Sequence, residues 1–531
     1  MVGNAGEAPL HCVRDCVIDL IRRVGGRIIF GNPGSTELPL FRNFPSDFRY
    51  VLGLQEATVA GMADGYAQAT RSAAFVSLHS AAGVGNAMGN IFTAYANRTP
   101  MVIMAGQQAR SILPFDPFLH SVNAAELPRP YVKWSVEPAR AADVPLAIAR
   151  AYAIAMTPPR GPTFVSIPVD DWDRPAEMVA HRVVSAAVRP DPGTIDRIGA
   201  ALDASARPAF VVGASVDRDQ AWDAVVELAE RHSARVWAAP MSGRCGFPED
   251  HPLFAGFLPP IRERIVGLLD GHDVIFAIGA PVFTYHVAGA GPHIPAGAAL
   301  CQLTDDPDVA ARTPLGVVAI GGVRLGVADL LSRTPPGPRA APRPRSKSLR
   351  VEPTKNISAA TLFQTLAELR DAGAVIVEEA PSARPAMQAH LPITRRDGFF
   401  TMDSGGLGFG MPAAVGIALG KPGTRVIALI GDGSAMYSIQ ALWSAAQLGL
   451  PIAFVILNNR RYAALQEFAP LFGFADGEAV PGTALPGLDF VALANGMGCA
   501  AARVADPGRL REALGEALRA DGPALLDVEI A

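Results

Sequence analysis

The 531-residue chain has little charge to spare: 46 Lys and Arg stand against 50 Asp and Glu, a net charge of −4, and charged residues make up only 18%. No basic face is therefore available for nucleic acid or for an anionic membrane surface. Long apolar runs are missing too. The longest, Val274–Phe283 and Pro451–Leu457, fall well short of the roughly 18–20 residues that a membrane-spanning helix needs. Cysteine is scarce, with five residues at Cys12, Cys16, Cys245, Cys301 and Cys499. An odd, scattered set excludes a disulfide framework and fits reduced thiols. Cys12 and Cys16 lie one helical turn apart, but without a second ligand pair nearby they read as two thiols on an N-terminal helix. Met1–Leu10 carries Glu7 and lacks the basic-then-apolar block of a secretory signal, so the expected location is the cytoplasm.

Apolar residues are abundant, at 50%, and they come in short runs bounded by Gly, Pro or Asp. Examples are Arg27–Phe30, Ala73–Leu78, Met101–Ala105, Thr163–Ile167, Pro208–Gly213, Val274–Gly279, Val375–Val377, Arg425–Ile430, Ile452–Leu457 and Leu525–Ile530. These runs do not alternate polar with apolar, which predicts strands buried on both faces, as in parallel sheets covered by helices. Ala-rich segments of helical length lie between them, at Glu56–Ala69, Ala141–Ala155, Asp217–His232 and Ser438–Gln447. Repeated β–α units imply an α/β protein. Two stretches read as connectors. Asp171–Pro192 loses strand signal and ends in Pro-Asp-Pro, while Ser332–Lys355 is rich in Pro, Arg and Ser. The second is expected to be an extended, solvated tether, which accounts for its arginines without a nucleic-acid partner. The chain thus divides into three α/β domains, 1–185, 193–332 and 356–531, with a Pro/Arg linker over 333–355. No internal repeat is visible.

The most informative residues are Gly431-Asp432-Gly433, which close one apolar run, and Asn458-Asn459, which close the next. The 24 residues between Gly433 and Asn458 accommodate a helix and a return strand. Such a β–α–β crossover sets the carboxyl ends of two parallel strands side by side, where open α/β sheets bind ligands. Asp432 and Asn459 would offer hard oxygen ligands of the kind magnesium takes together with phosphate oxygens. The glycines let backbone amides approach a diphosphate. Gly and Asp are ordinary turn residues, so the triplet alone says little; the spaced pair, with a strand before each half, says much more.

This pair resembles the diphosphate–magnesium motif of thiamine-diphosphate enzymes. Gly31-Asn32-Pro33-Gly34-Ser35, Leu54-Gln55-Glu56-Ala57, Ala63-Asp64-Gly65-Tyr66-Ala67 and His79-Ser80-Ala81-Ala82-Gly83 look like the pyrimidine-binding domain of the same superfamily. Within it the chain is most similar to the benzoylformate (phenylglyoxylate) decarboxylases, through Phe30–Leu38, Asn123–Ser135, Gly279–His286 and Gly405–Phe409. The resemblance implies a thiamine-diphosphate-binding fold, with pyrimidine and diphosphate domains, each a largely parallel sheet with helices on both faces, flanking a middle domain. It implies thiamine diphosphate and Mg2+ as cofactors, and non-oxidative decarboxylation of a 2-oxo acid to an aldehyde and carbon dioxide. Glu56 matches the acid that shares a proton with the aminopyrimidine ring. His79 and His286 match proton carriers, a task that suits imidazole near neutrality, and Ser35 would hydrogen-bond the substrate carboxylate. Leu407 matches the bulky residue beneath the cofactor. Asp432, Asn459 and the backbone carbonyl of Arg461 would bind the metal. Gly431, Gly433, Ser434, Ser382 and Tyr462 would contact the cofactor. A homotetramer, or at least a dimer, is implied, with each site between two subunits.

The sequence also departs from that pattern. The loop after the paired asparagines reads Arg460-Arg461-Tyr462-Ala463 where the family has Gly and Thr, which puts its shape in doubt if positive φ is required. Among the pocket residues Ala464, Leu465 and Phe468 keep the pattern. Pro381 and Thr401 replace Thr and Phe, Phe118 replaces Leu, and Arg384 adds a charge. A larger, substituted or anionic aryl 2-oxo acid is therefore in view beside benzoylformate itself. The alternatives are a carboligase of the acetohydroxyacid-synthase type and an inactive ligand-binding homologue. The two histidines argue against the first, and the complete set Glu56, His79, His286, Asp432 and Asn459 against the second.

Overall fold

In the computed structural model, residues 11–531 are described, apart from 181, 347 and 353. The reading of Met1–Leu10 as lacking a leader falls outside the described residues. The described residues hold three six-stranded sheets and a two-stranded antiparallel ribbon of His11–Cys12 with Pro175–Ala176; every pairing within the three large sheets is parallel. All ten predicted apolar runs lie on strands of these sheets. Their residues are buried almost throughout, which is why alternation was absent.

The first sheet is ordered Arg49–Leu52, Ile28–Gly31, Ala74–Leu78, Met101–Gln107, Pro162–Pro168, Ser135–Val136. The third is ordered Phe399–Phe400, Val375–Glu379, Val426–Gly431, Ile452–Asn458, Ala524–Glu529, Ala500–Val504. Numbered within each domain, both read 2-1-3-4-6-5. The chain therefore holds a topological repeat, although no repeat is visible in its sequence. A strand buried on both faces needs apolar bulk rather than particular residues, so identical topology leaves little trace. The middle sheet, Phe254–Phe257, Arg235–Ala238, Pro208–Val212, Val274–Ile278, Ala299–Thr304, Val317–Ile320, has instead the doubly wound order 3-2-1-4-5-6.

Two local expectations need correction. The predicted helix Asp217–His232 is two helices, Ala214–Arg218 and Trp222–His232, separated where Gln220 turns to a φ of 57°. The Pro/Arg linker is irregular and largely exposed, as expected, but it is not free. Arg339 donates to the carbonyls of Leu202 and Asp203 at 2.6 and 2.8 Å, and Arg345 lies over the rings of Phe254 and Phe257. Its arginines strap the segment to the middle domain by capping helix-end carbonyls and stacking on aromatic faces.

The first and third domains share one core. Helix Glu56–Thr70 packs along helix Gly410–Gly420, and a Cβ at Gly65 or Gly416 would drive into the facing backbone at Ala413 or Met62. Beside this junction Asp64 is fully buried and accepts from Gln68, Asn97 and Thr99. Burial pushes its carboxyl up to about 6 against those three donors. Asp64 thus staples the helix to the segment after helix Ser80–Ala96, and it stands apart from the cofactor motifs that flank it in sequence.

All three domains meet at Arg244, which is 3% exposed. Its Nε donates to Asp217 at 2.8 Å and its Nη2 to Asp397 at 2.6 Å. Asp397 also receives Arg71 at 2.6 Å and Lys421 at 3.5 Å, and the Arg244 guanidinium sits 3.9 Å from the Phe400 ring centroid. Burial works to raise the Asp397 carboxyl, but Arg244 and Arg71 outweigh it and hold the group below its ordinary value. Its stabilisation is therefore present above the unfolded pKa of about 4 and is lost as pH falls through the depressed folded value. Arg244→Ala would leave the buried Asp217 and the part-buried Asp397 short of a partner. It should cost about 3–5 kcal/mol in a denaturant titration at neutral pH, with the gap to wild type narrowing in acid; a loss under about 1 kcal/mol would show that the junction does not depend on this pair.

Candidate functional site

The candidate residues Glu56, His79, Ser35, Asp432 and Asn459 lie at or just past the carboxyl ends of strands, because successive crossovers in a parallel sheet bring those ends to one edge. On the first sheet three adjacent strands supply them. Strand Ile28–Gly31 runs into the Asn32–Ser35 turn, Arg49–Leu52 leads into the helix that begins at Glu56, and Ala74–Leu78 ends at His79. The Gln55 side chain caps that helix by accepting from the amides of Ala57 and Thr58, which fixes Glu56 in its first turn. Glu56 accepts from Asn86 at 3.0 Å and from Asn32 at 3.4 Å. Gly83 lies beside both Glu56 and His79.

The structure adds residues that the motif reading passed over. His79 Nδ1 is 3.0 Å from Thr36 Oγ1 and 3.0 Å from Glu37 Oε2. Thr36 donates to Glu37 Oε1 at 2.6 Å, and the Gly34 amide donates to Glu37 Oε2 at 2.8 Å. Ser35 is exposed on the same turn while Thr36 and Glu37 are buried. Glu37 is three residues past Gly34, the spacing of a helix N-terminal capping pair, and that was the one sequence signal for it.

On the third sheet Gly431 pairs with Leu457, so Asp432 and Asn458 follow side by side, about 5 Å apart. Asp432 is 3% exposed; its Oδ1 accepts from Gly433 at 2.8 Å, while its buried Oδ2 has no partner. Burial raises its carboxyl, opposed by the amides of Gly433, Arg460 and Arg461. An orphaned carboxylate oxygen against backbone amides is what a divalent cation with bound phosphate would complete. The donor set fits magnesium, a hard ion taking oxygens, and among the described residues no cluster of three His, Cys, Asp or Glu competes as a softer site.

The two asparagines divide the work. Asn458 turns inward and donates to Asp527 at 2.9 Å, whereas Asn459 lies at the rim with its Oδ1 on the Arg461 amide at 3.1 Å. The question raised by Arg460 is answered by its backbone. It adopts a φ of 60°, so the left-handed turn is kept without glycine, and its guanidinium rests on Glu529 at 2.9 Å. Tyr462 covers Gly433 so closely that any Cβ there would overlap the ring. Ser434 is buried and Ser382 half-buried nearby on the same sheet edge.

Leu407 sits in a loop held from below by Glu379, which accepts from the Gly408 and Gly410 amides. Burial pushes the Glu379 carboxyl up to about 7 against those amides. The adjacent Glu378 pairs with Arg384, and Arg384 also donates to Thr401 at 2.9 Å. The Arg384 charge is therefore neutralised in place. Pro381 is exposed beside it and Thr401 buried. From the middle domain the loop after strand Val274–Ile278 brings His286 against Phe468, with ring centroids 4.6 Å apart. Ala464 and Leu465 lie on the same short helix, Ala463–Phe468. Phe118 is 87% exposed.

The residues thus form two groups, one around Glu56 and His79 and one around Asp432, His286 and Phe468. Among the described residues, no direct hydrogen bond, ion pair or ring contact joins Glu56 or His79 to Asp432, His286 or Phe468, while Asn90 bridges the carbonyls of Ala57 and Gly408 beside the Leu407 loop.

Family models match all three domains: the N-terminal TPP binding domain of thiamine pyrophosphate enzymes over residues 12–126, the central domain over 195–330, and the C-terminal TPP binding domain over 382–528. The chain is 44% identical over 525 residues to a benzoylformate decarboxylase of Pseudomonas aeruginosa, covering 98% of this chain and 99% of the relative. A solved benzoylformate decarboxylase from Polynucleobacter necessarius superimposes with a TM-score of 0.95 at 40% identity, covering 98% and 99% of the two chains. A Rhodococcus jostii RHA1 thiamine diphosphate-dependent 4-hydroxybenzoylformate decarboxylase does so at 0.94 and 40%, with the same coverage. An acetolactate synthase large subunit of Methanocaldococcus jannaschii is 26% identical over 551 residues, 97% of this chain and 91% of that one. With its three domains, its paired strand-end motifs and this full-length likeness, the chain belongs to the thiamine-diphosphate-dependent enzyme family.

Proposed function

We propose that this carboxy-lyase converts an aryl 2-oxo acid, benzoylformate or a ring-hydroxylated analogue, to the aldehyde and carbon dioxide. The observation that carries the reading is the full-length 44% identity to a benzoylformate decarboxylase in a chain that retains Glu56, His79, His286, Asp432 and Asn459. Thiamine diphosphate, when bound, supplies the electron sink for loss of carbon dioxide. The rest falls to the protein. Asp432, Asn459 and the Arg461 carbonyl hold magnesium. Gly431, Gly433, Ser434, Ser382 and Tyr462 receive the diphosphate, and Leu407 supports the rings. Glu56 holds a proton at the aminopyrimidine nitrogen. Ser35 orients the substrate carboxylate, and His79 and His286 move protons on and off the reacting group. Phe118, Pro381, Thr401, Ala464, Leu465 and Phe468 enclose the aryl ring.

A second copy of the chain completes the site in this reading. Phe115 and Phe118 in the first domain and Leu465 and Phe472 in the third are all more than half exposed, and a partner surface would cover such side chains. The pairing of Glu378 with Arg384 also bears on the substrate. It leaves hydrogen-bond donors at the pocket edge without net positive charge, which suits a ring hydroxyl better than a ring carboxylate.

Three measurements test these assignments. Aldehyde and carbon dioxide release should be fast with benzoylformate and 4-hydroxybenzoylformate, slow with pyruvate, and dependent on added thiamine diphosphate and magnesium. Equal turnover of pyruvate would sink the aryl pocket. Asp432→Ala should raise the magnesium concentration needed for cofactor retention at least tenfold, read by equilibrium dialysis; an unchanged requirement would remove Asp432 from the ligand set. At Arg460, Gly should leave that requirement within about twofold. Val, which tolerates positive φ poorly, should raise it. Equal behaviour of the two variants would mean that the turn does not shape the metal loop.

A further inference from the structure

The residues behind His79 suggest a role that goes deeper than the proton carrier itself. Thr36 and Glu37 are 2% and 3% exposed, and nothing in the decarboxylase reading above requires a buried carboxylate there. A Cβ at Gly106, on the strand Met101–Gln107, would overlap both the Glu37 carboxylate and the Thr36 hydroxyl, and a Cβ at Gly34 would overlap the His79 ring. Two positions without side chains thus make room for one arrangement of three side chains.

The hydrogens in that arrangement can be assigned by elimination. Thr36 has a single hydroxyl hydrogen, and it is directed to Glu37 Oε1 at 2.6 Å. Its oxygen therefore faces His79 Nδ1, 3.0 Å away, as an acceptor. Glu37 Oε2 takes the Gly34 amide at 2.8 Å and lies 3.0 Å from the same ring nitrogen. As a carboxylate it too can only accept. With two acceptors against it, Nδ1 must carry the hydrogen, and in the neutral ring the lone pair is left on Nε2.

We infer that Glu37, with Thr36, is a positioning residue that fixes the Nδ1–H tautomer and the ring orientation of His79, leaving Nε2 as the atom that gives and takes the proton. The same carboxylate holds the Gly34 amide and so ties the Ser35 turn to the imidazole. This inference rests on the reading of His79 as a proton carrier.

The test is a double-mutant cycle on the reconstituted holoenzyme, with kcat and KM measured for benzoylformate and the melting temperature recorded for each variant. Glu37→Gln keeps the shape but can turn an amide N–H toward Nδ1. It should lower kcat roughly 10- to 100-fold, as loss of an orienting partner typically does, with KM changed less than about threefold. In the His79→Ala background the same substitution should change kcat less than about twofold, because no ring remains to be oriented. Thr36→Val, nearly isosteric and well suited to a buried position, should lower kcat several-fold in the wild-type background only, and Thr36→Ser should restore it. If the Glu37→Gln loss persists undiminished without His79, the carboxylate is merely structural and the inference is overturned. Full activity in Glu37→Gln would overturn it as well. Unchanged kcat in His79→Ala would instead remove the proton-carrier reading on which the inference stands.

Discussion

The placing of both residue groups depends on how closely the first and third domains can approach. Helix Glu56–Thr70 and helix Gly410–Gly420 touch backbone to backbone at Gly65 and Gly416, and the buried residues of both domains merge into one core that runs from Phe30 and Val76 to Ile430 and Ile456. Side chains at those glycines would separate the helices, and overpacking of such a contact costs stability directly. The helix that begins with Glu56 is thus set by the domain that carries Asp432, although the two residues do not meet within a chain.

The polar interior follows the same logic. Parallel sheets buried on both faces leave few places for charge, so charged groups collect where domains meet or where strands end. At the Arg244 junction the charges are fully paired, and the role is to fix three domains against one another. At Asp432, on a strand end, the pairing is left incomplete: one buried carboxylate oxygen has no partner. Unfinished polar groups mark a place for a ligand, whereas finished ones mark a joint.

In the proposed reading, specificity and chemistry come from different parts of the molecule. The first domain carries Glu56, His79 and the Ser35 turn, and the third carries Asp432, Asn459 and the candidate pocket residues Pro381, Thr401, Ala464, Leu465 and Phe468. From the middle domain His286 lies against Phe468. The Arg384–Glu378 pair and the His79–Glu37 pair stand on separate sheets, so a change at the first need not touch the second.

The sequence by itself determined the α/β class, the parallel strands and the strand-end positions of the cofactor motifs, because apolar period and Gly/Asp/Asn punctuation are local signals read within one β–α unit. Glu56 and His79, singled out by their motifs, both follow strand ends of the first sheet. What only the tertiary structure decided depends on contacts between distant segments. The repeated 2-1-3-4-6-5 order left no residue pattern, since burial asks only for bulk. The left-handed turn at Arg460 could not be inferred from an arginine. The linker arginines looked solvated until their partners, Leu202, Asp203, Phe254 and Phe257, were brought beside them. Glu37 carried no signal in the sequence beyond its spacing from Gly34. Its place against His79, 42 residues away, exists only because two parallel strands end side by side.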